Sequence, residues 1–229
     1  MSDLMKVGSD WGGAGTFKPF TSGISGAQRI LDAHGRYFDA AIAGRIFHAG
    51  GSIVAINNAT FTIATTGATA TPIIGLWNPL TNSKYASVLQ AQLATIITAL
   101  QSTGAGGFVW AYSLGNSALT LGALGISALN LLANSSCKAF ATGTALTGMT
   151  GTLAVLRGSG LGGGSSYNAA LLGTAAGFQT QQVTSVENID GSIIVPPGGV
   201  LALLATTTPV AHSAVPGLIW EETPLLVTI

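Results

Sequence analysis

Of the 229 residues only 7% are charged, where an ordinary soluble domain has about 25%, while the hydrophobic share of 48% is ordinary. Eight basic and eight acidic residues cancel, which removes the basic stripe that nucleic-acid binding requires and the excess charge that marks a disordered chain. The single cysteine, Cys137, rules out an internal disulfide framework and reads as a buried, inert thiol.

The chain begins Met1-Ser2-Asp3-Leu4-Met5-Lys6, without the basic start and apolar run of a secretory signal. Charge is concentrated early: nine charged residues precede Ile46, whereas Lys84, Lys138 and Arg157 are the only ones from Ile46 to Val186. This divides the sequence into an N-terminal arm, residues 1–35, and a charge-poor body, residues 36–229. The arm sets Trp11, Phe17 and Phe20 among Gly12, Gly13, Gly15 and Gly23, so it combines backbone freedom with aromatic surface to bury. It orders either on a partner or against its own domain, and Ala27 to His34 is long enough for one or two helical turns.

The body reads as strands. Gly51–Ile56 and Thr60–Ala64 flank Asn57-Asn58, a pair that tolerates positive φ and so forms a tight hairpin turn. Pro72–Trp77 is a third strand, and Asn78–Ser83 is a turn cluster. Tyr85 to Leu100 fits a helix or a strand by periodicity, and its β-branched residues favour strand. Phe108–Tyr112 is a short aromatic strand, whereas Ala118 to Ala133 is open between glycine-bent strands and a short helix. Thr152–Leu156 and Gly191–Val195 follow as strands. Pro196-Pro197-Gly198-Gly199 is a turn, because proline fixes φ at its entry and glycine supplies the positive φ after it. Val200–Ala205 is a buried strand, and Leu218–Glu222 closes the series. Many short strands with Gly/Pro turns predict an all-β sandwich or barrel.

The search for chemistry returns little. Ala118 to Ala133 is the greasiest stretch, but it is too short and too rich in glycine to cross a bilayer as a helix, so no membrane partner is expected. His34, His48 and His212 are far apart and form no metal-ligating motif. Gly158-Ser159-Gly160-Leu161-Gly162-Gly163 fits a dinucleotide fingerprint after a strand, but small residues follow where a phosphate-binding helix is required. No GxSxG elbow is present to focus a triad on one of the serines. Glu221 and Glu222 are adjacent, so on a strand they point to opposite faces and do not form a catalytic pair. No enzyme activity, cofactor or metal is expected.

Three patterns carry a resemblance: Leu76-Trp77-Asn78-Pro79 with Asn82–Leu89, Asp190–Gly199 running into an apolar strand, and Leu218–Pro224. Together, over Gly51 to Pro224, they resemble the jelly-roll proteins of tailed-phage virions, of the trimeric capsid decoration or cement type. The resemblance implies a jelly-roll-like β-sandwich and a homotrimer on the outer surface of a phage head, assembled in the host cytoplasm. There it would clamp the major capsid protein, with Trp11, Phe17 and Phe20 as shell contacts. The departure is an insertion-like region, 113–177, which has no place in a minimal jelly roll. A receptor-binding or fibre-tip module of a phage tail is the alternative, with Tyr112, Tyr167 and Asn168 as glycan contacts; a hydrolase with scattered catalytic residues ranks last. Either structural reading agrees with the scarcity of charge, since a chain this poor in ionic side chains is expected to cover its exterior with other chains.

Overall fold

The structure is a computed structural model that describes residues 37–51, 54–55, 72–97, 107–120, 125–141, 146, 148–150, 152–161, 182–206 and 212–224. Contacts divide the chain into Met1–Phe38 and Asp39–Ile229, and the fold described here belongs to the second unit. Trp11, Phe17, Phe20, the Ala27–His34 turns and the Thr60–Ala64 strand lie outside the described residues.

After a short helix, α1 (Phe38–Ile42), the described elements are all strands. They are β1 (Ile46–Gly50), β2 (Val54–Ala55), β3 (Ile74–Trp77), β4 (Lys84–Ile97), β5 (Phe108–Ser113) and β6 (Ile126–Ala128). β7 (Lys138–Phe140), β8 (Ala154–Gly158), β9 (Gln182–Val195), β10 (Val200–Ala205) and β11 (His212–Pro224) complete the series. One sheet runs β6-β1-β11-β4-β9, with β2 pairing β11 beyond the end of β1. The other runs β7-β3-β10-β5-β8, and all pairings are antiparallel. Leaving aside β2, β6 and β7, the sheets are β1-β11-β4-β9 and β3-β10-β5-β8, and the chain crosses between them at every step except β5 to β8. That eight-strand double Greek key is a jelly roll, so the expected all-β sandwich is the observed fold.

The main core lies between the sheets. Phe47, Val88, Leu93, Leu218 and Trp220 of the first sheet meet Ile74, Leu76, Trp110, Leu201 and Leu203 of the second. Phe47 and Trp220 stack with centroids 6.0 Å apart. A second apolar layer covers the outer face of the second sheet, where Leu146 and Leu153 pack with Phe140, Trp77, Ala202 and Leu204. β10 therefore reads Val-Leu-Ala-Leu-Leu-Ala without polar alternation because both of its faces are buried. Phe140 lies over Gly75, and a Cβ at that position would collide with the ring and sit 2.5 Å from the Leu201 carbonyl oxygen.

The segment between β5 and β8 contributes more than a loop. β6 extends the first sheet beyond β1, and β7 extends the second beyond β3. Both strands are three residues long, too short for periodicity to register. Thus Ala118 to Ala133 contains one short strand, β6, followed by turns, and no helix among its described residues.

Two predicted turns are pinned by asparagines. Buried Asn78 donates from Nδ2 to the carbonyls of Lys84 and Val195. Its backbone N–H donates to the Gly199 carbonyl, and its own carbonyl accepts from Gly198 N–H. Buried Asn116 donates to Gly198 O and accepts from Thr150 N–H, tying the Pro196–Gly199 turn to the outer layer. Gly198 has φ +76°, the conformation expected of glycine at that point in the turn.

Candidate functional site

Glu222 lies on the inward face of β11, and its neighbour Glu221 lies on the outward face. Glu221 pairs with Arg45 at 3.3 Å. The buried Glu222 carboxylate accepts hydrogen bonds from Ser135 Oγ at 2.5 Å, Ser136 N–H at 3.1 Å, Cys137 N–H at 3.3 Å and Trp220 Nε1 at 3.4 Å. Lys84 Nζ stands 3.5 Å away. Successive N–H groups converging on one carboxylate make a small anion nest, filled here by the protein's own side chain. Burial acts most strongly on this carboxyl and raises its pKa, but the hydrogen bonds from Ser135, Ser136, Cys137 and Trp220 together outweigh it and hold the group below its ordinary value. At Cys137, burial and then the adjacent Glu222 charge raise the pKa of the thiol and favour its neutral form. The cluster fastens the start of β7 to β11.

A second carboxylate, Glu187 on β9, closes the opposite side of the sandwich. It accepts from Trp110 Nε1 of β5 at 3.0 Å, from Ser159 Oγ at 2.6 Å and from Arg157 Nη2 of β8 at 3.0 Å. These bonds join the two sheets at their β8 and β9 edges. Ser135 Oγ and Ser159 Oγ each donate to a carboxylate, that of Glu222 and that of Glu187. No group of three His, Cys, Asp or Glu side chains gathers among the described residues. His48 is half-buried on the outer face of the first sheet; His34 lies outside the described residues, as does the side chain of His212. Ser159 to Leu161 follow β8 as a loop end, and the remainder of the glycine-rich motif lies outside the described residues. No described helix is long and apolar enough to cross a membrane.

The outward face of the first sheet is polar without being charged over most of its width. Ser127, His48, Ile219, Gln90 and Asn188 line up in one cross-strand row. Gln90 Nε2 donates to Asn188 Oδ1, and Gln92 Nε2 donates to Gln90 Oε1, each at 2.8 Å.

Apolar side chains are exposed at both edges of the sandwich. Between β8 and β9 an open groove of about 270 Å³ is lined by Tyr112, Leu114, Leu156, Ile194, Pro196 and Val200, among others, with no charged side chain in its wall. Every residue of β8 is exposed. Beside the opposite edge, the turn after β6 carries Leu131 and Leu132, which are 83% and 88% exposed. Leu131 has φ 59°, a left-handed conformation that bulky L-residues rarely adopt. Asn130 stabilises that turn: its Oδ1 accepts from Leu132 N–H and its Nδ2 donates to the Ile42 carbonyl.

Of the predicted glycan contacts, Tyr112 stands at the groove, and Tyr167 and Asn168 lie outside the described residues. The sequence reading missed the exposed leucine turn, although it singled out the apolar stretch that contains it. The fold and its surfaces thus define a jelly-roll sandwich with exposed apolar edges. Comparison with protein-family models, with curated proteins and with solved structures finds no match.

Proposed function

We propose that this chain is a virion structural protein, a capsid decoration or cement subunit that binds a phage shell as a homotrimer. The observation that carries the reading is the exterior of the sandwich. Large apolar side chains stand exposed at both edges, and the charges of Arg45–Glu221 and Arg157–Glu187 neutralise each other within the chain. Obligate interfaces are apolar and depleted of charge at their centres, and the exposed edges of the sandwich have that composition. Jelly rolls are a recurrent architecture of virion proteins.

The mechanism is cohesive. Burial of apolar area, worth about 25 cal/mol per Å² before association costs, would hold copies to each other and to the shell. The arm residues Trp11, Phe17 and Phe20 are the proposed shell contacts, attached to a body that associates through its sheet edges and faces.

Light scattering on the purified protein should give three times the 22.9 kDa chain mass, and a persistent single-chain mass would refute the assembly. Electron microscopy of particles with and without the chain should place it on the head surface. Deleting residues 1–26 should abolish attachment and leave the thermal melt of the body unchanged; unchanged attachment would remove the arm from the account. Adsorption to host-cell glycans without shell attachment would assign the chain to the tail instead.

A further inference from the structure

Resting on the assembly reading above, we infer that copies associate head to tail, with the Leu131-Leu132 turn of one copy seated in the β8–β9 groove of the next. The occupant of the groove is a second copy of this chain. Three features of the fold support it.

The first is placement. In the first sheet β6 and β9 are the two outermost strands, so turn and groove lie on opposite sides of the sandwich. A patch on one side that fits a different patch on the other makes a heterologous contact, which builds rings when the rotation closes and filaments when it does not. The two are also level. Leu129 N–H donates to the Ile46 carbonyl, Ile46 pairs with Glu221, Glu221 with Ser87, and Ser87 with Ile194 in the groove wall. One cross-strand row therefore runs from the base of the turn to the groove, over four strand spacings or roughly 19 Å.

The second is chemical match. The groove wall carries no charged side chain, and neither does Leu129-Asn130-Leu131-Leu132-Ala133-Asn134. A partner bringing a charge into this groove would have to strip its water without gaining a counter-charge, whereas the leucine turn brings none. The third is that the turn is held out rather than left loose. Leu131 keeps its left-handed φ through its own N–H to the Ala128 carbonyl and through both ends of the Asn130 amide. Residues held in such conformations cluster at active sites, ligand clamps and switch regions. An exposed leucine pair fixed in this way loses little freedom on docking.

The test uses the full chain. One variant carries Leu131→Ser with Leu132→Ser, and the other carries Leu156→Ser with Ile194→Ser. All four side chains are exposed in the single chain, so both melts should stay within a few degrees of the parent. Each variant should lose the multimer mass that the parent shows in light scattering. A parent multimer whose mass survives either pair of substitutions would overturn the inference and leave the assembly reading standing. A parent that is a single chain would refute both. Independently of folding in those variants, a Leu132→Cys copy mixed with an Ile194→Cys copy should form a disulfide on oxidation, with little in either copy alone. Disulfides formed in each variant alone, with no disulfide joining unlike copies in the mixture, would mean a two-fold contact, and would overturn the head-to-tail arrangement.

Discussion

At the level of single residues, Glu222 is the most exacting position. Its carboxylate satisfies two backbone N–H groups, a serine hydroxyl and an indole in a place water does not reach. Glu222→Gln replaces one accepting oxygen with a donor among donors and should cost about 2–4 kcal/mol in urea denaturation. The pH dependence follows from the lowered pKa. In the unfolded chain this group titrates near its ordinary 4.5, and in the fold it titrates lower. Between those values the unfolded state binds the extra proton, so stability rises with pH there. The Glu222 contribution is complete above that ordinary value and is lost as pH falls through the folded one. Urea midpoints measured from about pH 3 to pH 7 should show this acid loss, with a shallower slope in Glu222→Gln. Gly75→Ala is the second residue-level test. The new methyl meets both the Phe140 ring and the Leu201 carbonyl, so the variant should lose about 3 kcal/mol, and trimming Phe140 should not restore it because the carbonyl cannot withdraw.

The elements differ in how far their residue patterns announce them. β10 and the aromatic β5 are apolar runs between turn signals, and both stand where the sequence places them. The Tyr85 to Leu100 ambiguity resolves as the strand β4, which carries a bulge at Leu89, where pairing to both neighbours shifts. The first half of β9 was missed for a physical reason. Its inward position holds Glu187 and its outward position holds Val186, so the period-2 hydrophobic pattern is inverted. The segment between β5 and β8 is part of the fold, because Leu146 and Leu153 bury themselves on the second sheet. Leu146→Ala and Leu153→Ala should each cost about 2–4 kcal/mol, measured by chemical denaturation. Loss of under half a kilocalorie would make the outer layer an ornament; about 0.5 kcal/mol is what surface changes produce.

At the scale of the molecule, sequence alone determined the class. Strand-length apolar runs and Gly/Pro turns indicate an all-β sandwich or barrel, because these are local properties that follow from each residue's own conformational and solvation preferences. The turns at Asn78–Ser83 and Pro196–Gly199 were legible for that reason, and so was the opposite orientation of Glu221 and Glu222. Only the tertiary structure decided which strands pair, that Ser135, Ser136 and Cys137 converge on a glutamate more than 80 residues away, and that one stretch of leucines is exposed while another is buried. Leu131-Leu132 and Leu203-Leu204 are the same dipeptide, and solvent reaches one and not the other. Burial is a property of what the rest of the chain places alongside, and a sequence pattern a few residues wide does not contain that information.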